Sequence, residues 1–152
     1  MEWAFDKHGP DFEARSDELV RTGPIVPILI TGRTEQIQTQ GLIDTGASFC
    51  AIKPRLARKL NLIVIDQKRI SGVSASGFAA SGDADVMMAM VGFDENYVIP
   101  VQVVAADFLR DDPSVSLLLG RPFLQHFDLH YEGACGRFKL SWTKSHLMDS
   151  ED

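Results

Sequence analysis

Residues 41–48, Gly-Leu-Ile-Asp-Thr-Gly-Ala-Ser, deliver one carboxylate into a turn of small residues. Gly41, Leu42 and Ile43 read as the end of a buried strand, and Asp44 follows directly, ahead of Thr45, Gly46 and Ala47. Burial disfavours the charged form of a carboxylate, so an acid held there has either a partner or chemical work to do. A glycine at position 46 lets the backbone turn sharply and lets its N–H approach a carboxylate or a substrate closely. Thr45 brings a hydroxyl able to lock the loop, while Ala47 and Ser48 keep its wall small. The chemistry on offer is proton transfer to and from a reacting water, carbonyl or leaving group. An ordinary turn between two strands explains the Asp and the Gly, but not the apolar strand running straight into them. Chance supplies Asp-[Thr/Ser]-Gly in roughly one chain of this length in fifteen or twenty, so the context has to decide.

Two other segments bear on the same chemistry. Leu117-Leu118-Leu119-Gly120-Arg121-Pro122-Phe123-Leu124 is a very apolar strand ending in a glycine, which lets one main chain pass close beneath another. Ile70-Ser71-Gly72-Val73-Ser74-Ala75-Ser76-Gly77-Phe78 places small residues between extended segments, the composition of a mobile hairpin tip or of a plain surface loop. Other reactive side chains are less well placed. His126 and His130 have a helical metal-ligand spacing, but Phe127–Tyr131 alternates like a strand and no third ligand is evident. Cys50 has no His or Asn nearby in sequence for nucleophilic work and reads as a buried thiol.

The elements that must position these residues are mostly strands. Ile25–Ile30 and Gln36–Ile43 read as strands around Thr31-Gly32-Arg33, with Pro27 placing the first at an edge or a bulge. Phe49–Ile52 is extended, and Pro54 then opens a short helix carrying Leu56, Ala57 and Leu60, which Asn61 stops. Ile63–Ile65 is a short strand; Asp85–Val91 and Tyr97–Ala105 form a hairpin around residues 92–96. Val115–Leu119 is a strand, and Gly120-Arg121-Pro122 opens a short helix over Phe123–His126. Phe127–Tyr131 and Arg137–Trp142 form a final hairpin around Glu132-Gly133-Ala134. Before Gly23, Pro10 is able to open a helical turn over Asp11–Arg21, or that segment docks loosely as an arm. Such a pattern predicts an all-β fold with two short helices, closed as a small barrel or stacked as a sandwich. It divides into an N-terminal arm over 1–22, one domain over 23–143 and a polar, acidic tail over 144–152.

Composition narrows the partners. The chain has 152 residues, enough for one domain with a real core. A net charge of −6 leaves no basic stripe for phosphates, which argues against nucleic acid as a partner. The densest basic stretch, Lys53–Lys59, has apolar residues at helical spacing and reads as a solvated helix face. No apolar run is long enough for a membrane span, and the start of the chain has neither the basic nor the apolar region of a signal peptide. Two cysteines, Cys50 and Cys135, are expected as reduced thiols in a cytoplasmic protein.

Taken in order, the three segments resemble the retropepsin-like aspartic peptidases, over about Ile25 to Tyr131. Asp44-Thr45-Gly46-Ala47 resembles the catalytic loop of that family, and Pro54–Leu60 with Asn61-Leu62 is similar to the helical segment after it. Gly72, Val73, Ser74 and Ala75 fall where the family has its flap, which covers substrate. Leu119, Gly120 and Arg121 resemble the element that crosses under the catalytic loop. The resemblance implies a small closed β-barrel, no cofactor and no metal, and peptide hydrolysis by two carboxylates sharing one proton. One carboxylate is the base on water and the other donates to the scissile carbonyl. The motif occurs once, so the resemblance implies a homodimer with one Asp44 from each chain. Ser48 stands where retroviral members often have an acid that pairs with the arginine matching Arg121. Arg121 is therefore expected to find another partner, an Asp of the second subunit or of the arm. The rival expectation is a non-catalytic dimerisation or peptide-binding module on the same fold; a third is a processing peptidase acting on its own precursor or one partner.

Overall fold

The computed structural model describes residues 2–6, 9–15, 19, 23–73, 79–94, 97–107 and 114–142. Its strands are β1 (Glu2–Asp6), β2 (Gly9–Arg15), β3 (Ile25–Thr31), β4 (Gln36–Ile43), β5 (Cys50–Ile52), β6 (Val64–Val73), β7 (Ala79–Asp94), β8 (Tyr97–Ala105), β9 (Val115–Leu119), β10 (Phe127–Glu132) and β11 (Arg137–Trp142). Among the described residues, the helices α1 (Pro54–Lys59) and α2 (Arg121–Leu124) interrupt them, and a 3-10 turn spans Gly133–Cys135.

Six strands close a barrel in the order β3-β4-β9-β5-β8-β7, with β7 returning to β3 through Leu29↔Gly92, Ile30↔Val91 and Thr31↔Met90. The length of β7 makes this possible. One edge of the strand pairs with β6 from Ala79 to Met87 and with β3 from Met90 to Gly92. So β6 hangs outside the ring, paired with β7 alone among the described strands. Pro27 sits where β3 has only β4 as neighbour, opposite Gln40, so its missing N–H breaks no ladder.

The alternation that marked the strands also fills the barrel. Val26, Ile28 and Ile30 of β3, Met87, Ala89 and Val91 of β7, Ile99, Val101 and Val103 of β8, and Leu117 and Leu119 of β9 are all buried in one cluster. Each such side chain contributes roughly 1.5–3 kcal/mol of burial when fully enclosed. Phe123 of α2 joins the cluster beside Phe93 and Phe127, with ring centroids 6.0 and 5.0 Å away. Helix α1 packs Ala57 and Leu60 inward, and Asn61 ends it with φ of 53°, a left-handed conformation that asparagine tolerates.

A second sheet runs in the order β1-β2-β11-β10. The final hairpin pairs Phe127↔Trp142 through Glu132↔Arg137, as expected from its alternation, and Phe127, Phe138 and Leu140 tie it to the core. Of the segment expected as a helical turn after Pro10, Asp11–Arg15 lies instead in β2, paired to β11 from Arg15↔Arg137 to Asp11↔Ser141, whereas Leu19 is helical and its carbonyl accepts the Gly23 N–H at 2.9 Å. For Asp11–Arg15 the open edge of β11 supplies backbone partners that an isolated turn lacks. Pro10 lies just beyond that pairing, where β2 faces β1 alone. The polar tail over 144–152 lies outside the described residues.

Candidate functional site

The loop 44–49 joins two strands that do not touch each other. Strand β4 pairs in parallel with β9 through Gly41↔Leu117, Leu42↔Leu118 and Ile43↔Leu119. Strand β5 pairs antiparallel with the other edge of β9 through Ala51↔Leu118 and Ile52↔Leu117. The loop therefore straddles the end of β9, and Leu119-Gly120 must pass beneath it. Both neighbours demand small residues at the crossing. Side-chain atoms of Leu119 occupy the space above Gly41, where an added β-carbon would lie 2.8 Å from Leu119 Cδ1. At Gly120 that added carbon would stand 2.1 Å from the Phe49 carbonyl oxygen and 2.8 Å from that of Ala47.

Backbone hydrogen bonds fasten the crossing. The Asp44 N–H donates to the Leu119 carbonyl at 3.0 Å, and the Arg121 N–H donates to the Ala47 carbonyl at 2.9 Å. The Ala47 N–H closes the turn onto the Asp44 carbonyl at 3.2 Å. On the far side, the Ile43 N–H donates to the Pro24 carbonyl at 2.9 Å. Below the loop, the buried Cys50 thiol donates to the Gly120 carbonyl at 3.9 Å. Burial pushes this thiol above its ordinary range, partly offset by backbone hydrogen bonds at Gly120 and Phe123.

The Asp44 side chain is half-buried, and its Oδ1 accepts the Gly46 N–H at 2.9 Å. Among the described residues no donor reaches its second carboxyl oxygen. Gly46 does not have a positive φ. What position 46 requires is the close approach, because a β-carbon there would sit 3.2 Å from Asp44 Oδ1. Thr45 is exposed, and the bonds that hold the loop come from backbone groups and Arg121. The Arg121 side chain donates from Nη1 to the Thr45 carbonyl at 3.0 Å.

Of the sequence-marked residues, the fold brings Asp44, Thr45, Gly46 and Ala47 together with Leu119, Gly120 and Arg121. Gly72 and Val73 lie at the end of β6, in its hairpin with β7, and Ser74 and Ala75 lie outside the described residues. Sequence reading did not single out a cleft of about 270 Å³ beside the loop, lined among others by Ser48, Phe49, Lys68, Met88, Gln102 and Pro122. Those residues come from five separate segments, and only the alternation along β7 and β8 hints that Met88 and Gln102 share an outward face. His130, weighed as a metal ligand, is bonded to Glu132 at 3.0 Å on β10. Glu132 also accepts from Arg137 at 2.7 and 2.8 Å, which holds its carboxyl below the ordinary range, with His130 adding to the effect. Cys50 and Cys135 form no disulfide. No helix among the described residues is long and apolar enough to cross a membrane.

Comparison with known proteins places this geometry. No curated protein matches the sequence. Among solved structures, a retropepsin-like aspartic protease from Rickettsia conorii superposes with a TM-score of 0.52 at 20% identity, covering 93% of this chain and 96% of that one. An aspartic proteinase from Irpex lacteus gives 0.49 at 13% identity, over 94% of this chain and 51% of that one. The retroviral protease-like domain of Ddi1 from Leishmania major gives 0.42 at 14%, over 78% and 94%. The first of these likenesses bears on the fold, which is the retropepsin-like barrel. The family model for aspartyl proteases matches residues 26–123, from β3 through the crossing to α2. The chain belongs to the aspartyl protease family.

Proposed function

We propose that this chain is an aspartic endopeptidase that works as a two-fold homodimer, with Asp44 of each protomer forming the catalytic pair. The observation that carries the reading is the Asp44 carboxylate itself. One oxygen is fixed by the Gly46 N–H, the other meets no donor among the described residues, and the loop holding it is locked over Gly120. One protomer holds one such carboxylate, because the motif occurs once in the sequence. Peptide hydrolysis by this chemistry needs two, sharing a single proton.

In this mechanism the ionised Asp44 takes a proton from a bound water, which attacks the scissile carbonyl. The partner's Asp44 carries the shared proton and gives it to the carbonyl oxygen. The tetrahedral intermediate then collapses as a proton passes to the leaving amine. Neither a metal nor a covalent enzyme intermediate enters. The supporting roles fall to the backbone: Thr45, Gly46 and Ala47 shape the loop, while Leu119, Gly120 and Arg121 brace it from below. The β6–β7 hairpin, carrying Gly72 and Val73 toward Ser74 and Ala75, covers the bound peptide in this reading.

The test incubates the unmodified chain and Asp44→Asn with an unstructured peptide library between about pH 4 and pH 7, where a carboxylate pair works. Cleavage by the unmodified chain alone, blocked by a peptide mimic bearing a hydroxyl at the scissile carbon, is the expected result. Equal turnover by Asp44→Asn overturns the assignment. Peptide binding by both proteins with hydrolysis by neither would make the chain a non-catalytic binding module on the same fold.

A further inference from the structure

The outer edge of β6 joins three features found together nowhere else among the described residues. Ile63, Val64 and Ile65 are consecutive and about half exposed, at 53, 49 and 49%, whereas the other exposed large apolar residues, Met88 and Tyr131, stand singly. The strand they lead into is ten residues long and pairs with β7 alone among the described strands, so its second edge has no strand partner there. Finally, residues 53–69 hold six of the chain's fifteen basic residues and one of its twenty-one acidic ones. Arg55, Arg58 and Lys59 on α1 and Lys68 and Arg69 on β6 are all exposed. Lys59 lies four residues before Ile63, no more than about 14 Å of chain, and the left-handed turn at Asn61 shortens that reach.

We propose that this edge is a docking strand for an extended, acidic and apolar segment of another protein. Such a segment pairs with the open backbone of β6, lays apolar side chains against Ile63–Ile65 and sets carboxylates among the flanking cations. Charge selects between the candidate occupants. A second copy would bring a strongly basic patch against itself across a two-fold axis, and like charges so placed repel. A lipid surface would meet the cations but leave the free backbone edge without partners. A shift of register at Ile65, between Val64↔Met87 and Asp66↔Val86, turns the start of the strand so that three successive apolar side chains all reach solvent. Cations on an edge also discourage pairing with strands other than acidic ones, which makes the edge selective as well as open.

The inference does not rest on peptide hydrolysis, and its test uses Asp44→Asn protein so that cleavage plays no part. The probe is a fluorescein-labelled peptide of about ten residues alternating Glu and Val, matched in length to a full strand. Its controls are the same peptide with Lys for Glu, and the Glu peptide N-methylated at alternate residues. The Glu peptide is expected to bind, the Lys peptide not to bind, and N-methylation to weaken binding about tenfold by removing strand pairing. Lys68→Glu with Arg69→Glu should also weaken it about tenfold. Raising salt from about 0.01 to 0.15 M should weaken it several-fold, as the screening length falls from ~30 to ~8 Å. Equal binding of the Glu and Lys peptides overturns the proposal, as does an affinity unmoved by N-methylation or by the double substitution. It is equally overturned if the patch drives self-association that Ile63→Glu abolishes, or if the protein binds phosphatidylserine–phosphatidylcholine vesicles but not the peptide.

Discussion

Gly120 runs so close beneath Phe49 that a β-carbon on it would come within 2.1 Å of the Phe49 carbonyl oxygen. Both obstructing groups, Phe49 and Ala47, present backbone atoms, which cannot swing aside as a flexible side chain can. The loop bearing Asp44 is thus built directly on the missing side chain at 120.

Gly120→Ala should therefore be severe. Backbone has to move at the crossing, and the expected loss is about 3 kcal/mol or more of stability. Gly82→Ala is the matched control, since nothing lies within 4 Å of the carbon it would add. That change should be neutral or slightly stabilising, by up to ~1 kcal/mol. Thermal unfolding of the two variants checks both; equal melting temperatures would mean that the crossing is looser than described.

Arg121→Gln removes the charged donor from the Thr45 carbonyl while leaving the Arg121 backbone bond to Ala47 in place. The side chain is exposed, so the stability loss should be modest, about 1 kcal/mol. If the proposed activity holds, turnover should fall by more than stability does, because the loop carrying Asp44 loses one of its braces. Melting temperature and peptide turnover measured on one preparation separate the two effects.

Asp44→Asn should keep the fold, since an amide oxygen accepts from the Gly46 N–H as a carboxyl oxygen does, at a cost of about 1 kcal/mol or less. The homodimer reading adds a sharper expectation. Mixing excess Asp44→Asn with unmodified protein should extinguish cleavage, because each mixed pair keeps one functional carboxylate. Activity per mole should also fall on dilution as pairs separate. Turnover that stays proportional to the unmodified protein in such mixtures would contradict a shared site.

Cys50 and Cys135 should differ sharply toward a thiol reagent. Cys135 is exposed and should react at once, whereas Cys50 is buried against the Gly120 carbonyl and should react only as the chain opens. Burial raises the Cys50 value, so the unfolded chain ionises first as pH climbs through 9.0. Stability from this group is complete below that value and is lost as pH rises toward the higher folded one. Denaturant titration at about pH 7 and pH 10 should show a fall in stability that Cys50→Ala lessens.

Much of the site was legible in the sequence for local reasons. The apolar run into Asp44, the glycine at 46 and the triple-Leu strand before Gly120 are constraints of backbone space and burial that residue types carry with them. Strand periodicity marked β3, β4, β7, β8 and β9 for the same reason, and Pro54 and Asn61 punctuated α1. The hairpin tip was less accessible: the small residues of Ile70–Phe78 suggested a hairpin tip or surface loop, but β6 continues to Val73 and β7 begins at Ala79. Ladder bonds between the two strands outweigh the weak strand preference of those residues.

By itself the sequence determined which acid is held on a tight turn, that it occurs once, and that the chain is mainly strands around one core. Only the tertiary structure decided that β9 threads between β4 and β5, that the Arg121 side chain reaches the Thr45 carbonyl, and that β2 is a strand on β11. These outcomes depend on which backbone edges are left open once the barrel closes. Such edges belong to the assembled fold and to no residue alone. Asp44 is marked by its neighbours in the chain; the platform that holds it is made by Gly120, 76 positions away along the sequence.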